Sequence, residues 1–130
     1  MSASDGTIVI LQRDPEELRR FRDSRIPHSL HTRLCSSTAD AVAALGEGGA
    51  RALVTDLEPS DHEVLALVGA ARALSPPAQV VVLTAAPLAV RAVLRSHAIP
   101  AEVLRRPARV RDVLARVSCG QRLTDEEVDV

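Results

Sequence analysis

Four short groups of polar residues could do chemistry, because each follows an apolar run of the kind that forms a buried strand. They are Gln12-Arg13-Asp14, Asp56 with residues 57–59, Thr84-Ala85, and Arg105-Arg106-Pro107. A carboxylate beside cationic groups favours its ionised form, and a bidentate arginine–carboxylate contact is among the stronger polar pairs in proteins. The chemistry open to these residues is therefore, first of all, the pairing of an acid with a cation.

Other kinds of site find little support in the residue types. The segment after the first apolar run is neither glycine- nor hydroxyl-rich, and no Gly-Lys-Ser loop occurs, which argues against nucleotide hydrolysis. One Phe and no Tyr or Trp leave no aromatic platform for stacking flavins, bases or sugars. Cys35 and Cys119 match no zinc spacing, and the four histidines, at 28, 31, 62 and 97, lack a paired helical spacing. We expect no metal centre or redox role for these residues.

The polar groups are placed by a regular alternation of short apolar and longer amphipathic segments. Five strands are predicted, over 7–11, 31–35, 52–56, 80–84 and 101–105, with the second less apolar and nearer the sheet edge. Helices are predicted between them: one capped by Asp14, one capped by Thr38, and one opened by a Ser60–Glu63 capping box. Two more follow Pro87 and Pro107. This is the pattern of successive βα units around a parallel sheet.

Length and composition limit the chain to one ordinary soluble domain. It has 130 residues, of which 46% are apolar and 25% charged, with a net charge of -1. We predict a doubly wound, flavodoxin-like (βα)5 fold with strand order 2-1-3-4-5, covering residues 1–118, followed by an acidic tail or linker at 119–130. No apolar run is long enough to cross a bilayer and the start has no export signal, so we expect a cytoplasmic protein.

The polar residues at the strand ends resemble those of receiver domains of two-component response regulators. The resemblance spans about residues 7–117 and rests on an Asp ending the third strand, Thr-Ala ending the fourth, and a basic residue before Pro after the fifth. It implies that Asp56 is the phosphoacceptor equivalent and that Thr84 is the hydroxyl that turns toward the phosphate. It also places the family's lysine at Arg106 and its switch aromatic at Val103.

The same resemblance makes the departures informative. Receivers end the first strand with two acids that hold Mg²⁺, and here those places carry Gln12 and Arg13, while Asp14 serves as a helix cap. Mg²⁺ needs hard oxygen ligands, and phosphoryl transfer relies on such a metal to offset charge. Valine at 103 is too small for an aromatic switch. We therefore interpret the chain as an atypical receiver, or pseudo-receiver, without a cofactor and without enzymatic activity.

A specific hypothesis follows for the substituted pocket. Arg13, with Arg106 as a second candidate, pairs with Asp56 and holds the site in one charge-neutralised state in place of metal and phosphate. The alternative is that Arg13 points to solvent.

A second feature of the sequence is a concentration of arginine toward the carboxyl end. The residues concerned are Arg91, Arg95, Arg105, Arg109, Arg111 and Arg116, besides Arg106. In receivers the fourth helix, fifth strand and fifth helix form the output or dimerisation face, so we expect an acidic or phosphate-bearing protein partner, the chain's own effector domain or a second copy, rather than nucleic acid or membrane. A solvated polar face is the alternative.

The leading interpretation is thus a signalling module that acts through protein contacts. A working receiver phosphorylated at Asp56 is the first alternative. A flavodoxin-like cofactor enzyme on the same frame is the second.

Overall fold

The computed structural model describes residues 6–24, 26 and 31–117, and these form alternating strands and helices. The strands are β1 (Thr7–Leu11), β2 (His31–Cys35), β3 (Ala50–Asp56), β4 (Gln79–Thr84) and β5 (Glu102–Arg105). The helices are α1 (Pro15–Asp23), α2 (Thr38–Gly46), α3 (His62–Arg72), α4 (Pro87–Ser96) and α5 (110–117). Both the number and the kind of the predicted elements are confirmed, with strand bounds shifted by two residues at most.

The sheet is fully parallel with the order β2-β1-β3-β4-β5, which confirms the predicted topology. Strands β1, β3 and β4 are buried over nearly their whole length, since helices cover both faces. Strand β2 alternates between exposed and partly buried residues, as expected at an edge. Chain order reverses between β1 and β3, and in such sheets the crevice lies at the carboxyl ends of the strands flanking that point.

Two apolar clusters hold the helices on the two faces of the sheet. On one face, Val9, Leu53 and Val82 pack with side chains of α2, α3 and α4. On the other face, Ile10 and Val54 join a cluster that contains side chains of α1 and α5. The sheet is therefore held rigidly from both sides, and its carboxyl edge is a fixed platform for polar side chains.

Two helix caps differ from the sequence expectation. Asp14 caps α1 as predicted, with Oδ1 accepting from the amide of Glu16 at 3.0 Å. Helix α2 is capped by Ser37 rather than Thr38, because Ser37 Oγ accepts from the amide of Asp40 at 3.1 Å. Helix α3 is capped by Asp61, so the predicted capping box opened by Ser60 is wrong. Each cap lies one residue away from its predicted position. In both cases two adjacent residues carry side-chain oxygens that can cap a helix, and the sequence pattern does not distinguish them.

No helix within the described residues is long and apolar enough to cross a membrane. The predicted tail at 119–130 lies outside the described residues, as do Cys119 and His28.

Candidate functional site

The carboxyl edge of the sheet brings all four predicted polar groups into one row. Leu11 is level with Thr55, and Asp56 is level with Leu83, so adjacent strands end together. Backbone bonds continue the ladder beyond the strands, from the amide of Leu57 to Leu83 O at 3.1 Å and from that of Arg106 to Thr84 O at 2.9 Å. The loops that carry the site are therefore held in register with the sheet.

At the centre of this edge stand two buried polar side chains. Gln12 is 1% exposed and Asp56 is 7% exposed. Gln12 Nε2 and Asp56 Oδ1 are each buried without a hydrogen-bond partner among the described residues. A buried polar atom left in this way costs about 1–3 kcal/mol, so the pocket is organised around polar groups at some expense of stability.

Arg13 reaches from the end of β1 into this pocket. Its Nη2 lies 3.3 Å from Asp56 Oδ2 and 2.5 Å from Asp61 Oδ2. The arginine side chain is 34% exposed, whereas the two carboxylates are largely buried. The predicted contact between Arg13 and Asp56 is therefore present, and the alternative in which Arg13 points to solvent does not describe this structure.

Asp61 belongs to the site although the sequence did not identify it. One of its oxygens, Oδ1, accepts from the amide of Val64 at 3.2 Å and caps α3, while Oδ2 binds Arg13. Acidic residues are common at helix N-termini, and no spacing rule connects Asp61 to Arg13 over 48 positions. The guanidinium thus ties the start of α3 to the ends of β1 and β3.

The surroundings keep Arg13 charged. Partial burial by itself lowers the pKa of Arg13, but hydrogen bonds and charge interactions with Asp61 and Asp56 outweigh it, so its pKa is raised above the ordinary value. Since that ordinary value is already far above neutrality, the guanidinium stays positive throughout the range in which the protein is folded.

Arg106 does not join Asp56, which corrects the second half of the clamp hypothesis. Its Nη2 binds Glu58 Oε2 at 2.5 Å, across the mouth of the crevice. Glu58 comes two residues after Asp56 and is more exposed than it, so its carboxylate pairs with Arg106 with little loss of hydration. The two arginines therefore form separate ion pairs, Arg13 with the buried carboxylates of Asp56 and Asp61 and Arg106 with the more exposed Glu58.

Thr84 and Val103 are both buried. The hydroxyl of Thr84 accepts a hydrogen bond from the amide of Ala86 at 3.0 Å and so orders the loop before α4. Val103 is 8% exposed and packs in the same apolar cluster as α4.

The family frame implies a magnesium ion beside Asp56, and the side chains present do not fit one. The two places that would carry acids hold an amide and a guanidinium, and the guanidinium already occupies one oxygen of Asp56. Within the described part of the chain, no group of three or more His, Cys, Asp and Glu side chains could hold a metal ion. These side chains favour the guanidinium of Arg13, rather than a divalent metal ion, as the cation beside Asp56.

The six arginines of the predicted output face are all exposed. They are Arg91 and Arg95 on α4, Arg105 at the end of β5, Arg109 before α5, and Arg111 and Arg116 on α5. Arg116 pairs with Glu102 at 2.9 Å, and Arg91 donates to Val103 O at 3.4 Å. These charges lie on elements that are adjacent in the fold, as the sequence order suggested.

Cys35 is buried and its thiol is free. Burial raises the pKa of this thiol above its ordinary value of 9.0, which keeps it protonated and unreactive at neutral pH. His31, His62 and His97 are exposed.

Comparison with known proteins gives matches at the level of structure. No protein-family model matches the sequence, and no curated protein does. The signal receiver domain of an HD domain-containing protein from Pseudomonas fluorescens is 12% identical, with a TM-score of 0.73 over 93% of this chain and 98% of that one. A response regulator receiver protein from Sinorhizobium medicae is 22% identical, with a TM-score of 0.66 over 90% and 94%.

A third match is the co-crystal structure of the Saccharomyces cerevisiae phosphotransfer protein Ypd1 with the receiver domain of the response regulator Ssk1. It is 18% identical, with a TM-score of 0.58 over 91% of this chain and 90% of that one. Sequence identities this low show a shared fold only, and the chemistry of the pocket depends on its own residues. The chain has the flavodoxin-like α/β fold of response-regulator receiver domains.

Proposed function

We propose that this chain is an atypical receiver domain in signal transduction, in which Arg13 replaces the magnesium ion and Asp56 is not phosphorylated. The observation that carries the proposal is the contact of Arg13 Nη2 with Asp56 Oδ2 at 3.3 Å and with Asp61 Oδ2 at 2.5 Å. The receiver fold supports a regulatory role, and the pocket chemistry supports the atypical form.

Electrostatics disfavour a divalent ion in this pocket. A divalent and a monovalent cation about 4 Å apart repel by about 8 kcal/mol at an effective dielectric constant of about 20. Arg13 is one-third exposed and can swing away, so this value is an upper bound. Swinging away would break both of its ion pairs, and Mg²⁺ would then have to replace them with few carboxylates in reach.

The same contact reduces the nucleophilic character of Asp56. Phosphoryl transfer to a carboxylate requires an oxygen that can attack and cations that offset charge on the transferred group. Asp56 Oδ2 is engaged by Arg13, and Arg106 is engaged by Glu58. Asp56 and Arg106, which would accept and bind a phosphoryl group, are therefore each already held in an ion pair.

Protein contacts are the remaining means of action, and we propose that the exposed arginines of α4, β5 and α5 provide them. Arg95, Arg105, Arg109 and Arg111 present positive charge that a partner with acidic or phosphate groups would complement. The partner could be an effector domain of the same protein or a second copy of this chain. In the Ssk1 co-crystal structure the receiver domain is bound to a partner protein.

The test is incubation with a small phosphodonor and Mg²⁺, followed by intact mass measurement. Asp56→Asn serves as the matched control, because it removes the acceptor with little change in shape. We expect wild type and Asp56→Asn each to keep the mass calculated from its own sequence, without a phosphoryl group. A phosphoryl adduct on the wild type that is missing from Asp56→Asn would refute the proposal.

A working phosphoacceptor is the second candidate function. Asp56 Oδ1 has no partner among the described residues, which leaves one carboxylate oxygen uncommitted. The phosphodonor experiment decides between the two functions, because only the second predicts an adduct.

A further inference from the structure

A groove on the side of the molecule is distinct from the crevice at the sheet edge. It runs along α3 beside the segment that follows α4, is shallow and open to solvent, and has a volume of about 650 Å³. It is lined by His62, Leu65, Ala66, Gly69, Arg72, Ala73, His97, Ala98 and Ile99. The α3 residues in this set recur at helical spacing, so the groove follows one face of that helix.

The lining combines an apolar floor with positive or hydrogen-bond-donating groups. Small and apolar side chains form most of it, and the polar members are one arginine and two histidines, without an acid. Arg72 Nη1 donates to Ala78 O at 3.1 Å, while its Nε is buried without a partner. No carboxylate of the described residues lies within ion-pair distance of Arg72. The groove therefore suits a segment that carries both apolar and acidic side chains.

The end of the described chain and the basic end of this groove meet the same edge of the sheet, at the start of β4. Gln79 Nε2 donates to Arg116 O at 3.2 Å, which holds the last turn of α5 against the start of β4. The residue before Gln79 is Ala78, whose carbonyl accepts from Arg72. The end of α5 and Arg72 are thus both linked to the start of β4, from opposite faces of the sheet.

The segment that follows has matching chemistry and enough length. Residues 123–130 read LTDEEVDV, with four acids and three apolar side chains. Five residues from 118 to 122 span up to about 17 Å when extended. Helix α3 has 11 residues, about 16 Å of helix. Since α5 and α3 lie on opposite faces of the sheet, these five residues lead round the start of β4, and the segment can enter the groove at its Arg72 end.

We propose that residues 123–130 of the chain bind in this groove, with acidic side chains toward Arg72 and the apolar ones on the α3 floor. Such an arrangement covers apolar surface along α3 and supplies a counter-charge to Arg72. The arginine face on α4, β5 and α5 offers charge to the same segment, and it is the main competing location. The groove is favoured because it can also bury Leu123, Val128 and Val130. This inference does not depend on whether Asp56 is phosphorylated.

The experiment places a nitroxide spin label on the segment in the full chain. Thr124→Cys carries the label in a Cys119→Ser background, since Cys35 is buried and its thiol is protonated. Nitrogen-15-labelled protein then reports which backbone amides lose signal. We expect loss of most of the signal for amides of α3 around Ala66 and Gly69 and for those at 97–99.

Two variants make the result specific. Ala66→Glu adds a negative charge at an exposed position inside the groove and should restore the lost signals. Ala43→Glu makes the same change at an exposed position of α2 outside it, and should leave the pattern unchanged. Neutralising the segment with Asp125→Asn, Glu126→Gln, Glu127→Gln and Asp129→Asn should also restore the signals.

Three outcomes would overturn the inference. Signal loss around Arg105 and Arg109 would place the segment on the arginine face. Uniform or absent signal loss would show that the segment does not bind. The same signal loss in a mixture of spin-labelled protein with separately nitrogen-15-labelled protein would show that the contact is between molecules, and would assign the groove to a second copy. None of these results bears on the phosphodonor experiment, so the two proposals fail separately.

Discussion

Neutralising Asp56 should change stability in a direction that depends on its partner. In a pocket of clustered acids, Asp→Asn removes repulsion and stabilises the fold. Here the nearest charged group is the guanidinium of Arg13, with Nη2 3.3 Å from Asp56 Oδ2, so Asp56→Asn removes an attraction. We therefore expect Asp56→Asn to lower the free energy of unfolding. Arg13→Met should lower it further, because it leaves both Asp56 and Asp61 without their cation.

The magnitude follows from the geometry. At 3.3 Å the Coulomb attraction is about 5 kcal/mol at an effective dielectric constant of about 20. Arg13 is one-third exposed and Asp56 gives up hydration on burial, so only part of this attraction contributes. We expect a loss of about 1 kcal/mol for Asp56→Asn, about 2 kcal/mol for Arg13→Met, and a coupling energy between them of about 1 kcal/mol.

The assay is a double-mutant cycle of the two single variants and the double variant in urea, with thermal melts as a second measurement. A loss of 1 kcal/mol corresponds to a fall in Tm of about 4 °C for a chain of this size. The partly buried pair of Arg106 and Glu58 is the control, because its carboxylate is much more exposed than that of Asp56, and Arg106→Met with Glu58→Gln should show coupling below about 0.5 kcal/mol. A stabilised Asp56→Asn variant, or a coupling energy near zero, would refute the ion-pair account of the pocket.

Three further outcomes are expected. Gln12→Asp combined with Arg13→Asp should create a Mg²⁺ site. With Mg²⁺ at ten times its Kd, the free energy of unfolding of this variant should rise by about 1.4 kcal/mol, and that of wild type should not rise at equal ionic strength. Because burial raises the pKa of Cys35 from 9.0, the unfolded chain loses that proton first, so stability should fall above about pH 9 by up to 1.4 kcal/mol per pH unit. Cys35→Ala, with the other cysteine changed to serine, should abolish that slope; an unchanged slope would contradict the assignment. Gly6→Ala puts a methyl group 2.6 Å from a backbone carbonyl oxygen and should cost about 1–3 kcal/mol, whereas Gly46→Ala meets nothing within 4 Å and should be neutral or stabilising in urea denaturation.

The fold was predictable because its signals are local and repeated. Apolar, β-branched runs such as 80–84 are typical of strands that are buried on both faces of a sheet. The spacing between successive runs leaves room for one helix after each strand. A five-unit chain of this kind has few topologies available to it, since crossover connections are right-handed. The carboxyl edge, and with it Gln12, Asp56 and Thr84, then follows from the direction of the strands.

Partner choice among charged side chains was not predictable to the same degree. The topology places both Arg13 and Arg106 at the same edge of the sheet as Asp56. In the structure, Asp56 pairs with Arg13, whereas Arg106 pairs with Glu58. The difference depends on side-chain reach and on the path of the loop after β3, which no periodicity encodes. Asp61 was missed for a related reason, because its capping role and its arginine contact use different oxygens of one carboxylate.

The position of Asp61 explains how one substitution can change the behaviour of the whole edge. With acids at the end of β1, the pocket would need an external cation to hold its carboxylates together, and its charge would vary with metal and phosphate. With Arg13 there, the cation is part of the chain and binds β3 through Asp56 and the start of α3 through Asp61. A ligand shifts an equilibrium between two states only if it prefers one of them, and a cation that is part of the chain cannot be added or withdrawn. Under the proposed function the pocket holds one state, and regulation of this domain should come from what binds its surfaces.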